Sequence, residues 1–543
     1  MVSVSYCQIL ARLRLCLLAA STACCATVLQ AQPQNTPRGN DQLNPLPRVE
    51  GFELEADADQ APVNAWEFIP RLQLSQIYTD NVGLDIDAEA ESDLVTEFAP
   101  GFEWRVNTSR ITGNVDYQFQ NLIYQDNDDS NEIFHQLESD ATVELIRQAL
   151  FVDLQANYYQ QLFTPDISFN QRNINTLNNS RSDVTELRAS PYWLHRVQGA
   201  DIDSILRYSA ASIDYEENAA NRTNLDSQLQ AVQWQLGNFF RRAQGLNDNR
   251  LNRRSSGGLE WLLNAQFTEI EFDENAQLLQ NTREFRRIDL TLAYPISSDV
   301  ELLATVGFED NDFAVDDDLD DPTGTLWLAG LTWTPTSRDS ITFRAGQRYF
   351  GDTYEFSWRH VARKWQISAT YDEELLTDIQ TNITGVSLDN NGQFNGLVTR
   401  PTNEVFLRQR GSLRIRYDWS KTVIDLNAFY EDQIFQRVDD DESILGFRAS
   451  LSWAFGARTR LVGTFDRRER DLIRRGAILV LTPLDRDRIE DDRLDLLELS
   501  MVRDIGETAE LNVYVGRAER SNASNNDGYT ENFMGVTLVK FFE

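Results

Sequence analysis

A 543-residue chain that is 41% hydrophobic, with a mean hydropathy of −0.44, is too polar for a bundle of membrane-spanning helices, yet 10% of it is aromatic. That mixture suits strands with one greasy and one wet face. A formal net charge of −35 argues against nucleic acid as a partner.

The first segment reads as an export signal over residues 1–31. Arg12 and Arg14 precede an apolar run from Leu15 through Ala20 to Ala26, and small residues follow up to Ala31, the expected cleavage point. The run falls short of the ~18–20 residues that a spanning helix needs. Ser21-Thr22-Ala23-Cys24 loosely resembles a lipoprotein cleavage site, although Ser21 stands where an aliphatic residue is wanted. All four cysteines, Cys7, Cys16, Cys24 and Cys25, fall inside this segment, so the mature chain carries no disulfide and no cysteine-metal site. Removing Arg12 and Arg14 takes the charge from −35 to −37.

Residues 32–65, with Pro33, Pro37, Pro45, Pro47 and Pro62 among Asn, Gln and acids, read as a flexible periplasmic leader. From Trp66 onward, period-2 alternation takes over. Ile111, Gly113, Val115, Tyr117 and Phe119 share one face, while Thr112, Asn114, Asp116, Gln118 and Gln120 share the other. Phe102, Trp104 and Val106 repeat the pattern, as do Val300 to Phe308, Leu413 to Trp419 and Phe447 to Phe455.

A soluble β-sandwich also alternates, so connection lengths have to discriminate. Short connections are expected near 107–110, 146–149, 196–199, 295–298, 335–338, 420–421, 457–458 and 504–507. Longer polar stretches separate them, such as 125–132, 161–181, 309–322, 373–403 and 471–492. Tight turns on one side and long loops on the other are the mark of a transmembrane barrel. The expected fold is therefore an all-β, antiparallel up-and-down barrel over 66–543, of roughly 22 strands (about 18 to 24), with periplasmic termini. Residues 237–256 and the hairpin at Phe350-Gly351-Asp352 are where a count could slip.

Trp66, Trp104, Trp193, Trp333, Trp365, Trp419 and Trp453 lie near the expected periplasmic strand ends, as an interfacial girdle requires. In the last strand, Gly535, Leu538 and Phe542 have the spacing of the C-terminal signal read by the barrel assembly machinery. Lys540 and Glu543 depart from that pattern.

No catalytic constellation is visible. His135, His195 and His360 stand apart, and an interfacial role suits each better than a catalytic one. The chain is expected to be no enzyme and to need no cofactor. The acidic runs Asp126 to Asp129, Asp316 to Asp321 and Asp439 to Glu442 are expected in long external loops. They could hold calcium or bridge to lipopolysaccharide phosphates, but they lack calcium-loop spacing, so solvated loops are the plainer reading. The expected inward residues, Asp116, Gln118, Arg287, Asp289, Arg414, Arg416, Arg448 and Arg460, mix both signs. This suits a wet lumen for an uncharged or weakly charged polymer, unless the residues pair across the lumen and fill it. A plugged, energised receptor would need a folded plug, and residues 32–65 are too few for one.

Several short stretches resemble the PEP-CTERM system-associated outer-membrane β-barrel proteins. They are Ile77-Tyr78-Thr79-Asp80-Asn81-Val82, Ser92-Asp93, Pro100-Gly101, Ser190-Pro191-Tyr192-Trp193, Trp327 to Pro335, and Gly346 to Gly351. The resemblance spans 66–543 and implies a Gram-negative outer-membrane barrel linked to exopolysaccharide production and exosortase sorting, with no catalytic residues. Its expected partners are outer-membrane lipid and lipopolysaccharide, and extracellular polysaccharide if the barrel is an exit route. A non-conducting structural or adhesive barrel is the chief rival, distinguished by inward Arg and Asp pairs or the 373–403 loop closing the lumen. A soluble periplasmic carbohydrate-binding β-protein would extract without detergent.

Overall fold

The computed structural model describes residues 65–162, 181–197, 202–216, 226–238, 258–272, 281–313, 322–377, 380, 404–437, 440–475, 487–522 and 528–542. The expected export signal and nearly all of the leader lie outside this range, as do the Asp316 to Asp321 run and most of 373–403.

The strands are β1 (Trp66–Thr79), β2 (Asp93–Asn107), β3 (Ile111–Tyr124), β4 (Glu132–Ile146), β5 (Leu150–Leu162), β6 (Arg181–Val197) and β7 (Ile202–Tyr215). There follow β8 (Ser227–Gly237), β9 (Glu260–Phe272), β10 (Thr282–Pro295), β11 (Val300–Asp312), β12 (Thr323–Trp333), β13 (Asp339–Arg348), β14 (Gly351–Val361) and β15 (Trp365–Thr377). The last are β16 (Val405–Trp419), β17 (Thr422–Phe435), β18 (Asp440–Gly456), β19 (Thr459–Arg475), β20 (Asp487–Asp504), β21 (Ala509–Asn522) and β22 (Tyr529–Phe541). Each pairs antiparallel with its sequence neighbour, and β22 returns to β1 from Arg71 opposite Phe541 to Thr79 opposite Phe533, closing a 22-stranded barrel. With an even strand number, both termini of the barrel lie at one end, the terminal end. The opposite mouth is the far end.

One face of the wall is apolar and exposed. Leu74, Ile288, Val306, Phe308, Trp327, Phe343, Leu499, Val515 and Met534 are 43–56% exposed. A surface of this kind is stable only against hydrocarbon, which identifies the outward, lipid-facing side of a transmembrane barrel of the outer-membrane type. Ten of the eleven tryptophans lie within four residues of the terminal end of their strands; Trp327 is the exception. The girdle therefore includes Trp234, Trp261 and Trp358 beside the seven expected, and Trp66 stacks on Trp104 with ring centroids 5.5 Å apart.

The expected alternation of short and long connections is broken most clearly at two places. Only Tyr349 and Phe350 join β13 to β14 at the far end, whereas residues 238–259 join β8 to β9 at the terminal end. Strand length explains the first. The 10 residues of β13 only match the ~9–11 needed to span hydrocarbon, so its hairpin turns at the membrane surface. The 18 residues of β20 continue well beyond it. The stretch 471–492 is thus strand up to Arg475 and again from Asp487, and Asp440, Asp441 and Glu442 open β18 instead of lying in a long loop. The Asp126 to Asp129 run does sit in a connection, with a short 3-10 turn at Asp128–Ser130.

The inward face is not polar throughout. Near the far end, Val95, Leu122, Tyr124 and Phe134 face inward and bury Val82, which is 1% exposed, so the β1 to β2 connection folds into the barrel. Beside it, Tyr159, Val184, Ile213, Ile270 and Phe272 form a second inward cluster, and Phe313, Leu375 and Val405 pack with Phe285 and Tyr349 in a third.

Val306, 56% exposed at the middle of β11, tests the assignment of faces. Val306→Arg should lower folding stability in lipid bilayers by about 2–4 kcal/mol, measured by reversible denaturant unfolding. A cost near zero would mean that this face does not meet hydrocarbon.

Candidate functional site: the inner wall

Strand register assigns the inner face without ambiguity, because every second residue opposes the exposed apolar set. All eight residues expected to line the lumen occur on that face: Asp116 and Gln118 on β3, Arg287 and Asp289 on β10, Arg414 and Arg416 on β16, Arg448 on β18 and Arg460 on β19. They do not converge on one point. They are spread round the wall, and each of the charged ones is answered by a neighbour.

Asp116 accepts from Nη1 and Nη2 of Arg71, with Nη1 at 2.6 Å. Arg287 Nε donates to Asp289 at 2.8 Å, and its Nη1 lies 3.7 Å from Glu309. Arg414 donates to Asp425 at 3.0 Å, and Arg416 to Asp418 at 3.1 Å. Arg448 meets Asp466 at 2.6 Å. Arg460, more than half exposed at the terminal end, is 3.8 Å from Glu510. Gln118 buries its Nε2 without a partner.

Sequence reasoning did not single out several further inward arginines. Arg348 grips Glu309 at 2.6 Å, Arg344 meets Glu355, Arg410 meets Glu431 at 3.2 Å, and Arg408 lies between Asp372 and Glu374 at 3.5 and 3.4 Å. Arg470 with Glu442 and Arg520 with Asp492 are the most deeply buried of these pairs, each side chain at 5% exposure or less. The signal available was phase. Arg408, Arg410, Arg414 and Arg416 share one parity of β16, opposite Leu413, Ile415 and Tyr417.

Each of these pairs joins residues of one strand or of strands no more than two apart. Arg71 on β1 reaches Asp116 on β3, Arg207 on β7 reaches Asp153 on β5 at 2.7 Å, Arg348 on β13 reaches Glu309 on β11, and Arg460 on β19 approaches Glu510 on β21, while the rest lie on one strand or on adjacent strands. The pairs therefore lie along the wall. The alternative expected from sequence, pairing across the lumen, is not what these residues do. A planar guanidinium bound edge-on to a carboxylate is neutralised where it stands, yet both groups retain donors and lone pairs for other partners.

The histidines belong to the outer face. His135 accepts or donates at 2.7 Å with the Tyr117 hydroxyl, His195 stands edge-on to Trp193, and His360 is 2.7 Å from Asp339. At the closing seam, the Phe542 N–H donates to the Pro70 carbonyl at 2.8 Å, Leu538 points outward, and a Cβ on Gly535 would come within 2.5 Å of the Tyr514 ring.

No protein-family model matches this chain, and no curated protein sequence does. Among solved structures, the barrel is similar to the siderophore receptor PirA from Acinetobacter baumannii, at 7% identity and a TM-score of 0.48, over 88% of this chain and 80% of that one. It is also similar to the FrpB iron transporter from Neisseria meningitidis, at 9% identity and a TM-score of 0.49, over 87% and 82% of the two chains. OmpTdeltaL8 of Vibrio cholerae matches at 6% identity and a TM-score of 0.30, covering 88% of this chain and all of its own.

Arg470 and Glu442 test how the wall is held, since neither charge can be left alone at such burial. R470M should destabilise the barrel by about 3–5 kcal/mol, and E442M/R470M should recover most of that loss in the same unfolding assay. A double-variant cost equal to the sum of the R470M and E442M costs would show that the two side chains act independently.

Proposed function

We propose that the chain is a passive outer-membrane conduit for a carbohydrate polymer, in keeping with the exopolysaccharide role implied by its resemblance to PEP-CTERM-associated barrels. The carrying observation is the arrangement of Arg and carboxylate pairs along the inner wall. Such a wall is wet and rich in donors and acceptors while its charge is locally compensated. Hydroxyl-bearing chains can exchange hydrogen bonds along it without the strong ion selectivity that a ring of one sign would impose. Inward amides on the neighbouring strands, including Gln118, Gln136, Gln233 and Gln266, extend the same surface. In this reading the far end faces the exterior, the outward apolar band meets outer-membrane lipid and lipopolysaccharide, and the last strand addresses the assembly machinery.

A second reading, a structural or adhesive barrel that does not conduct, draws on the far mouth. There, the inward β1 to β2 connection and the three apolar clusters narrow the opening from the side of β2 to β16.

Single-channel conductance of the refolded protein in planar bilayers, with and without the secreted polysaccharide of its host, separates the two. A conduit gives stable, weakly selective current that the polymer blocks, and R414E/R416E then shifts the reversal potential toward cations. Folded insertion without current would overturn the conduit and leave the structural barrel.

A further inference from the structure

Arg338, Arg363, Lys364, Lys421, Arg458 and Arg503 follow one another along the rim of the terminal end. They stand in the turns that join β12 to β13, β14 to β15, β16 to β17 and β18 to β19, and next to the last residue of β20. All six are exposed, and none has an ion-pair partner among the described residues. On the wall, by contrast, arginines are gripped by carboxylates. Acid is not scarce in a chain with 85 acidic and 50 basic residues. It lies elsewhere: the far-end connection 80–92 holds Asp80, Asp85, Asp87, Glu89 and Glu91, and 125–131 holds Asp126, Asp128 and Asp129, with no base in either. Beside the six cations, Asp339 is taken by His360 at 2.7 Å and Asp418 by Arg416 at 3.1 Å, which leaves Asp504 and Glu507 after Arg503. The arc therefore carries excess positive charge that the protein does not answer.

Depth specifies the partner. Strand register sets Trp419, Thr422, Trp453, Leu461 and Met501 in one outward row across β16 to β20. Outward tryptophans mark the edge of the hydrocarbon. Lys421, Arg458 and Arg503 lie one to three residues beyond that row, which is within about 10 Å of it at the rise of a strand. Arg503 also shares the outward phase of Met501, so it starts on the lipid side of the wall. On the next turn Lys364 lies over the Trp419 ring at 5.6 Å, and Trp365 follows it directly. Cations just outside an aromatic row stand where a leaflet holds its phosphates. Successive turns are two strands, or about 10 Å, apart, so the arc meets several headgroups side by side.

We propose that the terminal rim from β12 to β20 binds the phosphate headgroups of anionic phospholipids in the periplasmic leaflet. The choice of leaflet rests on the orientation given under the proposed function; the preference for anionic headgroups does not.

The test is native mass spectrometry of the full chain, folded in a neutral detergent and titrated with phosphatidylglycerol, phosphatidylcholine or lipid A. Phosphatidylglycerol should be retained over phosphatidylcholine, and K364Q/K421Q/R458Q/R503Q should reduce that preference by about fivefold for each cation that a headgroup meets. R110Q/R147Q, in two terminal-end turns outside the arc, should leave it nearly unchanged. In the wild type, the preference for brominated phosphatidylglycerol in mixed vesicles, read by quenching of tryptophan fluorescence, should fall as salt is raised, which tests the rim even if the fourfold variant does not fold. Equal retention of the two phospholipids, or a preference that survives the fourfold variant, would overturn the rim. Lipid A held more tightly than phosphatidylglycerol through the same four cations would overturn the periplasmic placement. A preference seen only after E53Q/E55Q/D57N/D59N would overturn the lipid and give the rim to the acidic stretch before β1. Single-channel current on the same preparations reads the conduit separately: current without headgroup preference overturns the rim alone, and preference without current overturns the conduit alone.

Discussion

In hydrocarbon no backbone N–H or C=O can turn to water, so a sheet that crosses a bilayer cannot have an edge. Everything else in this molecule follows from closing β22 onto β1. The seam is held by continuous register over nine residue pairs and locked at its far end by side chains: Thr79 donates to Glu531 at 2.8 Å, and Asn532 donates to Asp80 at 2.8 Å. Closure over 22 strands also fixes a wide perimeter. Facing walls of such a barrel are too far apart for one side chain to meet another across the middle. The inward charges therefore find partners among strand neighbours, and wall-parallel pairing is a consequence of strand number.

The parts legible in the sequence are those that depend on phase alone. Period-2 alternation assigned faces correctly at Asp116, Arg287, Arg414 and Arg448, because side-chain direction alternates without regard to what lies opposite. Aromatic placement at the terminal end was legible for the same reason. The partners were not, since Arg71 with Asp116 or Arg348 with Glu309 requires the register between strands that are not consecutive. Connection lengths also misled where strands outrun the membrane. Asp440 to Glu442 looked like a loop because it is acidic, yet Glu442 is 3% exposed and held by Arg470.

The rule that inward means polar failed at the far mouth. Leu326 and Leu328, both 2% exposed, alternate with the outward Trp327 on β12, so this strand is apolar on both faces. On β2 and β3 the inward apolar residues are covered by protein. Val82 from the β1 to β2 connection sits on Val95 and Leu122, making a local core on what is formally the lumen side. Asp93, at the start of β2, stabilises the adjoining connection by accepting from the N–H groups of Gln125 and Asp126 at 3.0 and 3.1 Å. A sequence with both faces apolar at a strand's far end thus marks where a connection folds inward.

The choice of cation carries the same logic to the scale of the whole chain. Of its 50 basic residues only Lys364, Lys421 and Lys540 are lysines, and all three sit at the terminal end, two in turns and one near the end of β22. There a flexible ammonium can reach the interface, as Lys364 does over the Trp419 ring at 5.6 Å. Along the wall, an ammonium would be a point charge projecting into the lumen, whereas a guanidinium can lie flat against the sheet and give a carboxylate two hydrogen bonds at once. Near-exclusive use of arginine is what a wide barrel needs if it is to carry many inward charges that are compensated locally along its wall.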